Sequence, residues 1–139
     1  MRLSKTFLFF ISLLFFSIQA KAQISLTVDQ MESEYKECSK QKPDSTTCSR
    51  KFLQQMDSMS AVVFEKVRVQ IPASEKSALI QEQVSWAKKK SDYFKKLDET
   101  FVYNLQEGIW KKDMIRITYQ QKAEFILKRI KVLIKRLVE

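Results

Sequence analysis

Gln83, Trp86 and Lys90 are the residues of this sequence whose types and intervals could do recognition chemistry. Steps of three and four place them along one side of an α-helix, successive turns apart. An amide both donates and accepts hydrogen bonds, an indole offers a flat apolar face with one donor, and an ammonium supplies positive charge. A polar patch of this kind could hold a carboxylate, either Asp57 on the preceding helix or one brought by a partner. Lys90 has a second available role. Its aliphatic stem can lie over the Trp86 ring while the ammonium reaches water, a cation–π contact contributing roughly 0.5–1 kcal/mol at an exposed site. Its neighbours Lys88 and Lys89 point away from Trp86 and read as a solvated face.

Other chemistries are poorly provided for. The chain contains no histidine and one glycine, Gly108. Ser-His-Asp and Cys-His catalysis, histidine-based metal sites and glycine loops that cradle phosphate all lack their parts. Asp57, Asp92 and Asp98 are scattered carboxylates that form no pair placeable across a cleft. The expectation is a non-enzymatic protein with no catalytic residues, no metal site and no cofactor.

Stepping outward from the patch, the elements that must position it are helical. Leu26, Val28, Met31, Tyr35 and Cys38 recur at short intervals that fit a short first helix ending before Pro43. A second helix, capped by Thr46 or Thr47, carries Cys48, Phe52, Leu53, Met56, Met59, Val63, Phe64 and Val67 and stops near Ile71-Pro72. Ser74 is the expected N-cap of a third, with Leu79, Ile80, Trp86, Ala87, Tyr93, Phe94, Leu97, Phe101 and Leu105 at helical spacing and Gly108 as the stop. A fourth runs from about Trp110 to Val138. The predicted fold is all-α: a small antiparallel helical bundle of three to four helices, with one short-loop disulfide between Cys38 and Cys48. Closing so short a loop contributes on the order of 2–3 kcal/mol.

Compartment follows from the N-terminus. Arg2 and Lys5, an uncharged apolar run from Thr6 to Ile18 and the small-residue pattern Ala20-Lys21-Ala22 predict a signal peptide over residues 1–22, cleaved before Gln23. Residues 23–139 would then form a single domain in a periplasmic or extracellular setting, where a disulfide persists.

With these features in place, Gln83-x-x-Trp86-x-x-x-Lys90 resembles the signature of the LprI-like lysozyme-inhibitor family, small exported helical domains with a Q-x-x-W-x-x-x-R-D helix. Upstream, Cys48, Leu53, Asp57 and Phe64 are similar to that family's cysteine, leucine, aspartate and aromatic on the preceding helix. The resemblance spans about residues 35–100. It implies a binding or inhibitory module with lysozyme as one possible protein partner. Lys90 stands where arginine is usual, Ser91 where aspartate is usual, and Phe94 where a cysteine often follows. An ammonium forgoes the bidentate grip of a guanidinium.

The net charge of +9 gathers toward the C-terminus, with about +6 on residues 109–139. There Ile126, Leu127, Ile130, Leu133, Ile134, Leu137 and Val138 share one helical side, and Lys128, Arg129, Lys131, Lys135 and Arg136 the other, with Phe125 and Val132 among them. Two readings stay open: a core helix with its cations in water, or a basic amphipathic helix touching an anionic membrane or cell-wall surface. Export argues against nucleic acid as the partner.

Overall fold

A computed structural model describes residues 5–43, 46–108 and 111–137, with side chains from Lys21 onward except at 111 and 112. All regular structure among the described residues is helical: α1 (Lys5–Gln41), α2 (Thr46–Gln70), α3 (Ala73–Gln106) and α4 (Lys111–Ile134). The all-α bundle expected from the apolar periodicity is therefore the observed architecture.

Each helix reverses the one before it. Cys38 and Cys48 are joined with Cα atoms 5.8 Å apart, and Lys51 reaches back to Glu34, so α1 and α2 are antiparallel. Asp98 pairs with Lys122 and Glu82 with Arg129, which reverses α4 against α3. Lys90 of α3 meets Asp57 of α2 across the turn at Ile71-Pro72, so α3 also reverses α2, and α2 and α4 run in the same direction. They also form the most extensive interface, α1 and α3 flank this pair, and the backbones of α2 and α3 approach each other little. Sequential helices packing pairwise would have given α2 and α3 a broad interface. The fully buried Ile126, Ile130 and Leu133 of α4 instead face Met56, Val63 and Val67 of α2 in one core. Burying each such aliphatic side chain contributes roughly 1.5–3 kcal/mol.

Several boundaries differ from the sequence reading. α1 extends back to Lys5 without interruption across Ala22–Gln23, the expected processing point. Its core contacts are Ile24 and Val28, with Met31 and Tyr35 partly buried, whereas Leu26 is 68% exposed. Counting in steps of four, three and four from Ile24 gives that stripe directly, and Leu26 lies two residues, or about 200°, away. Ser74 is not the cap of α3. Pro72 occupies that position in an extended conformation, its carbonyl accepting from the Glu75 N–H, and Ser74 already lies inside the first turn. The fixed φ of proline ends α2 and starts α3 within two residues. Thr46 is the first residue of α2, and its carbonyl accepts the Ser49 hydroxyl. Asp44 and Ser45 between the two cysteines, Trp110 at the expected start of the last helix and Val138 of its apolar stripe lie outside the described residues.

Gly108 follows the end of α3 with φ +81°, the left-handed region that favours glycine, and its N–H donates to the Leu105 carbonyl. None of the described helices is long and apolar enough to cross a membrane.

Candidate functional site: the two faces of α3

Only Leu79 of α3 is fully buried, so this helix is held to the bundle by one amphipathic face. That face contains all three residues of the polar patch.

Lys90 meets the carboxylate the sequence suggested. Its Nζ donates to Asp57 Oδ1 on α2, and it lies 5.7 Å from the Trp86 ring centre and 5.5 Å from that of Phe94. The lysine side chain is 25% exposed and the aspartate 57%. The ammonium lies near both rings and closes an ion pair with Asp57, where the alternative reading had it reaching open water. A pair this exposed contributes about 0–1 kcal/mol, so its main effect is to fix where α3 stands relative to α2.

Gln83 has a different partner from the one expected. Its Oε1 accepts from Arg129 Nη2 of α4 at 3.0 Å, while Arg129 Nη1 donates to Glu82. The guanidinium also lies 5.9 Å from the Trp86 ring centre, and the Arg129 side chain is only 6% exposed. Arg136 closes on the other Glu82 oxygen at 2.7 Å. Phe125 of α4 continues the interface, stacking with Trp86 at 6.3 Å and Tyr93 at 4.7 Å and meeting Phe94 edge-on at 6.4 Å. Beyond it Lys122 sits 5.1 Å from the Phe94 ring centre and donates to Asp98 at 2.6 Å. From Glu82 to Asp98 the α3–α4 seam is thus a run of aromatic rings closed at both ends by ion pairs.

This arrangement corrects the reading of the C-terminal cations as one outward stripe. Arg129 is buried, Arg136 is tied to Glu82, and Lys131 pairs with Glu32 of α1 at 2.6 Å. Lys128 and Lys135 remain exposed. The apolar side of α4 is core, so lifting this helix onto a membrane would dismantle the α2–α4 interface. Arg129 was misplaced because a one-sided wheel hides α4's second contact face. Lys122, Phe125, Arg129 and Arg136 recur at intervals of three, four and seven, and the aromatic among those cations was the signal that they face another helix.

Ion pairing between helices perturbs Glu82 and, between α1 and α2, Glu34. Hydrogen bonding from Arg129, reinforced by Arg136 and the charge of both, holds Glu82 below the ordinary carboxylate value of 4.5 against the opposing effect of burial. Lys51, by hydrogen bond and charge, does the same to Glu34. Asp57, Glu82 and Asp98 are each engaged by a cation of another helix. Among the described residues no three acids or cysteines cluster as a metal site would require.

The opposite lip of α3 is open. Leu53, Gln54, Asp57 and Ser58 of α2 bound a groove whose other wall is Lys90 and Phe94. Sharing Lys90 and Phe94 with it, an open surface of α3 alone adjoins this groove over Ala87, Ser91, Lys95, Asp98, Glu99 and Val102. Ile80 and Val84 extend the same side of the helix, and Ile80, Val84 and Val102 are 48%, 66% and 52% exposed. Ile80, part of the helical run read from the sequence, belongs to this open stripe and not to the buried face. No family model, curated protein or solved structure matches the chain.

Proposed function

We propose that the protein is an exported, non-enzymatic helical binding module that engages another protein through the α2–α3 side of the bundle. The observation that carries the reading is the apolar stripe Ile80, Val84, Ala87, Phe94 and Val102 beside a groove that the backbones of α2 and α3 leave open. Small folded domains bind partners through exposed apolar surface rimmed by polar residues. The disulfide across α1 and α2 and the N-terminal apolar run support export.

The resemblance to LprI-like inhibitors adds lysozyme as a specific target. Its Gln–Trp–Lys residues act inside the bundle, so inhibition would have to use the groove beside them. Lysis of bacterial cell walls by lysozyme, measured with a molar excess of the disulfide-bonded protein, tests this version. Inhibition that is lost on Ala87→Arg supports it. Undiminished lysis removes lysozyme as the target and leaves a binding module for a different protein. The reading as an envelope or membrane-surface protein working through the C-terminal cations is the weaker alternative, because three of the five are engaged within the bundle.

A further inference from the structure

The Cys38–Cys48 disulfide links the end of α1 to the start of α2, and its two halves sit in different surroundings. Cys48 is 4% exposed and belongs to the buried side of α2. Phe52, one turn further along α2, stacks on Tyr35 of α1 at 4.5 Å, so a pair of rings lies on the core side within a turn of each cysteine. Cys38 is half-buried and lines an open cleft with Gln30, Glu34, Gln41, Lys42 and Lys51. Cys48 does not reach that cleft.

Thiol–disulfide exchange selects between two sulfurs by access and by charge. The incoming thiolate must reach the sulfur it attacks, and the other sulfur must depart as an anion. Access favours attack on Cys38. Charge favours departure of Cys48, which lies in the first turn of α2, where N–H groups without helical partners and the positive end of the helix dipole are found. Cys38 lies in the last turn of α1, at the carbonyl end that disfavours an anion. Arg50 and Lys51 follow Cys48 closely in sequence and add positive charge, that of Lys51 being shared with Glu34. Burial opposes an anion at Cys48, so access to Cys38 is the larger effect and the helix ends reinforce it.

We propose that Cys38 is the exchange site of the disulfide, the sulfur at which an external thiol is covalently held. The thiolate attacks Cys38 Sγ, a new S–S bond forms there, and the Cys38–Cys48 bond breaks. Cys48 Sγ leaves with the electron pair and takes a proton from water. Closure is the reverse: the Cys48 thiolate attacks Cys38 Sγ and expels the carried thiol. At the mixed-disulfide stage the end of α1 is released from α2 while its outer sulfur carries the adduct.

Reduced glutathione added to the full disulfide-bonded chain, followed by acid quench, alkylation of free thiols and peptide mass spectrometry, reads which cysteine carries the adduct. Glutathione on Cys38 with alkylated Cys48 is expected at early times in at least about tenfold excess over the opposite species. In urea sufficient to unfold the chain the ratio should fall toward parity, because the fold alone buries Cys48 and sets the two cysteines at opposite helix ends. Equal adducts on the folded chain, a majority on Cys48, or no adduct at glutathione concentrations that open the unfolded chain overturns the proposal. So does a preference for Cys38 that persists undiminished in urea, since it would belong to the neighbouring sequence and not to the bundle.

Discussion

Arg129→Ala is the substitution that most sharply separates a structural arginine from a surface one. In the folded protein it removes two hydrogen bonds, to Glu82 and Gln83, and the guanidinium packed beside Trp86. Deleting one partner of a fully buried ion pair costs roughly 3–5 kcal/mol. Glu82 is 37% exposed and retains Arg136, which places the expected cost at the lower end, about 3 kcal/mol. An unfolding entropy of about 2.1 cal/mol/K per residue converts this to a fall in melting temperature of about 10 °C. Arg129→Lys keeps the charge, loses the fork that spans Glu82 and Gln83, and should cost roughly half as much. Lys128→Ala, one residue away and exposed, should stay within about 0.5 kcal/mol of the parent. Urea titration and calorimetry with the disulfide intact provide the readout. Equal stabilities of Arg129→Ala and Lys128→Ala would refute the claim that the α3–α4 seam is built around this arginine.

Two further outcomes follow from the same contacts. Because Glu82 is held below its ordinary value in the folded state, its contribution to stability is fully present above the unfolded carboxylate pKa, near 4.5, and is lost as pH falls through the lowered folded value. Melting temperature should fall on acidification below about 4.5, with a shallower acid limb in Glu82→Gln, and parallel curves would exclude this origin. Replacing Cys38 and Cys48 with serine should cost about 2–3 kcal/mol and release amide protection first in α1, which among its described side chains buries only Ile24 and Val28; hydrogen exchange that stays uniform between α1 and α4 would contradict it.

Much of the architecture was legible from the periodicity of apolar residues. Four helices, the turn at Ile71-Pro72, the stop at Gly108 and the Cys38–Cys48 pairing all come from local signals: spacing, a proline, a glycine and two cysteines flanking a turn. The Lys90–Asp57 contact was also readable, because a lysine on an apolar face needs a carboxylate or water. What local signals do not determine is which helices lie side by side. The partners of Gln83 and the burial of Arg129 depend on α4 packing against both α2 and α3, a long-range arrangement that one helix's wheel does not contain. The open stripe on α3 was hidden for the same reason. Ile80 and Val84 sit roughly 100–140° from the centre of the face that holds α3 to the bundle, and whether another helix covers them depends on how far α2 stands from α3.

The central claim is that α3 divides its labour, with Gln83, Trp86 and Lys90 binding it to the bundle and Ile80, Val84, Ala87 and Ser91 facing a partner. Nuclear magnetic resonance of the isotope-labelled, disulfide-bonded protein titrated with lysozyme, the partner proposed from the resemblance, tests this most directly. The account predicts shifts at the amides of Ile80, Val84, Ala87, Ser91 and Val102, and an unmoved Trp86 indole N–H. Shifts centred on Trp86 and the Arg129 guanidinium, with the groove amides silent, would contradict it.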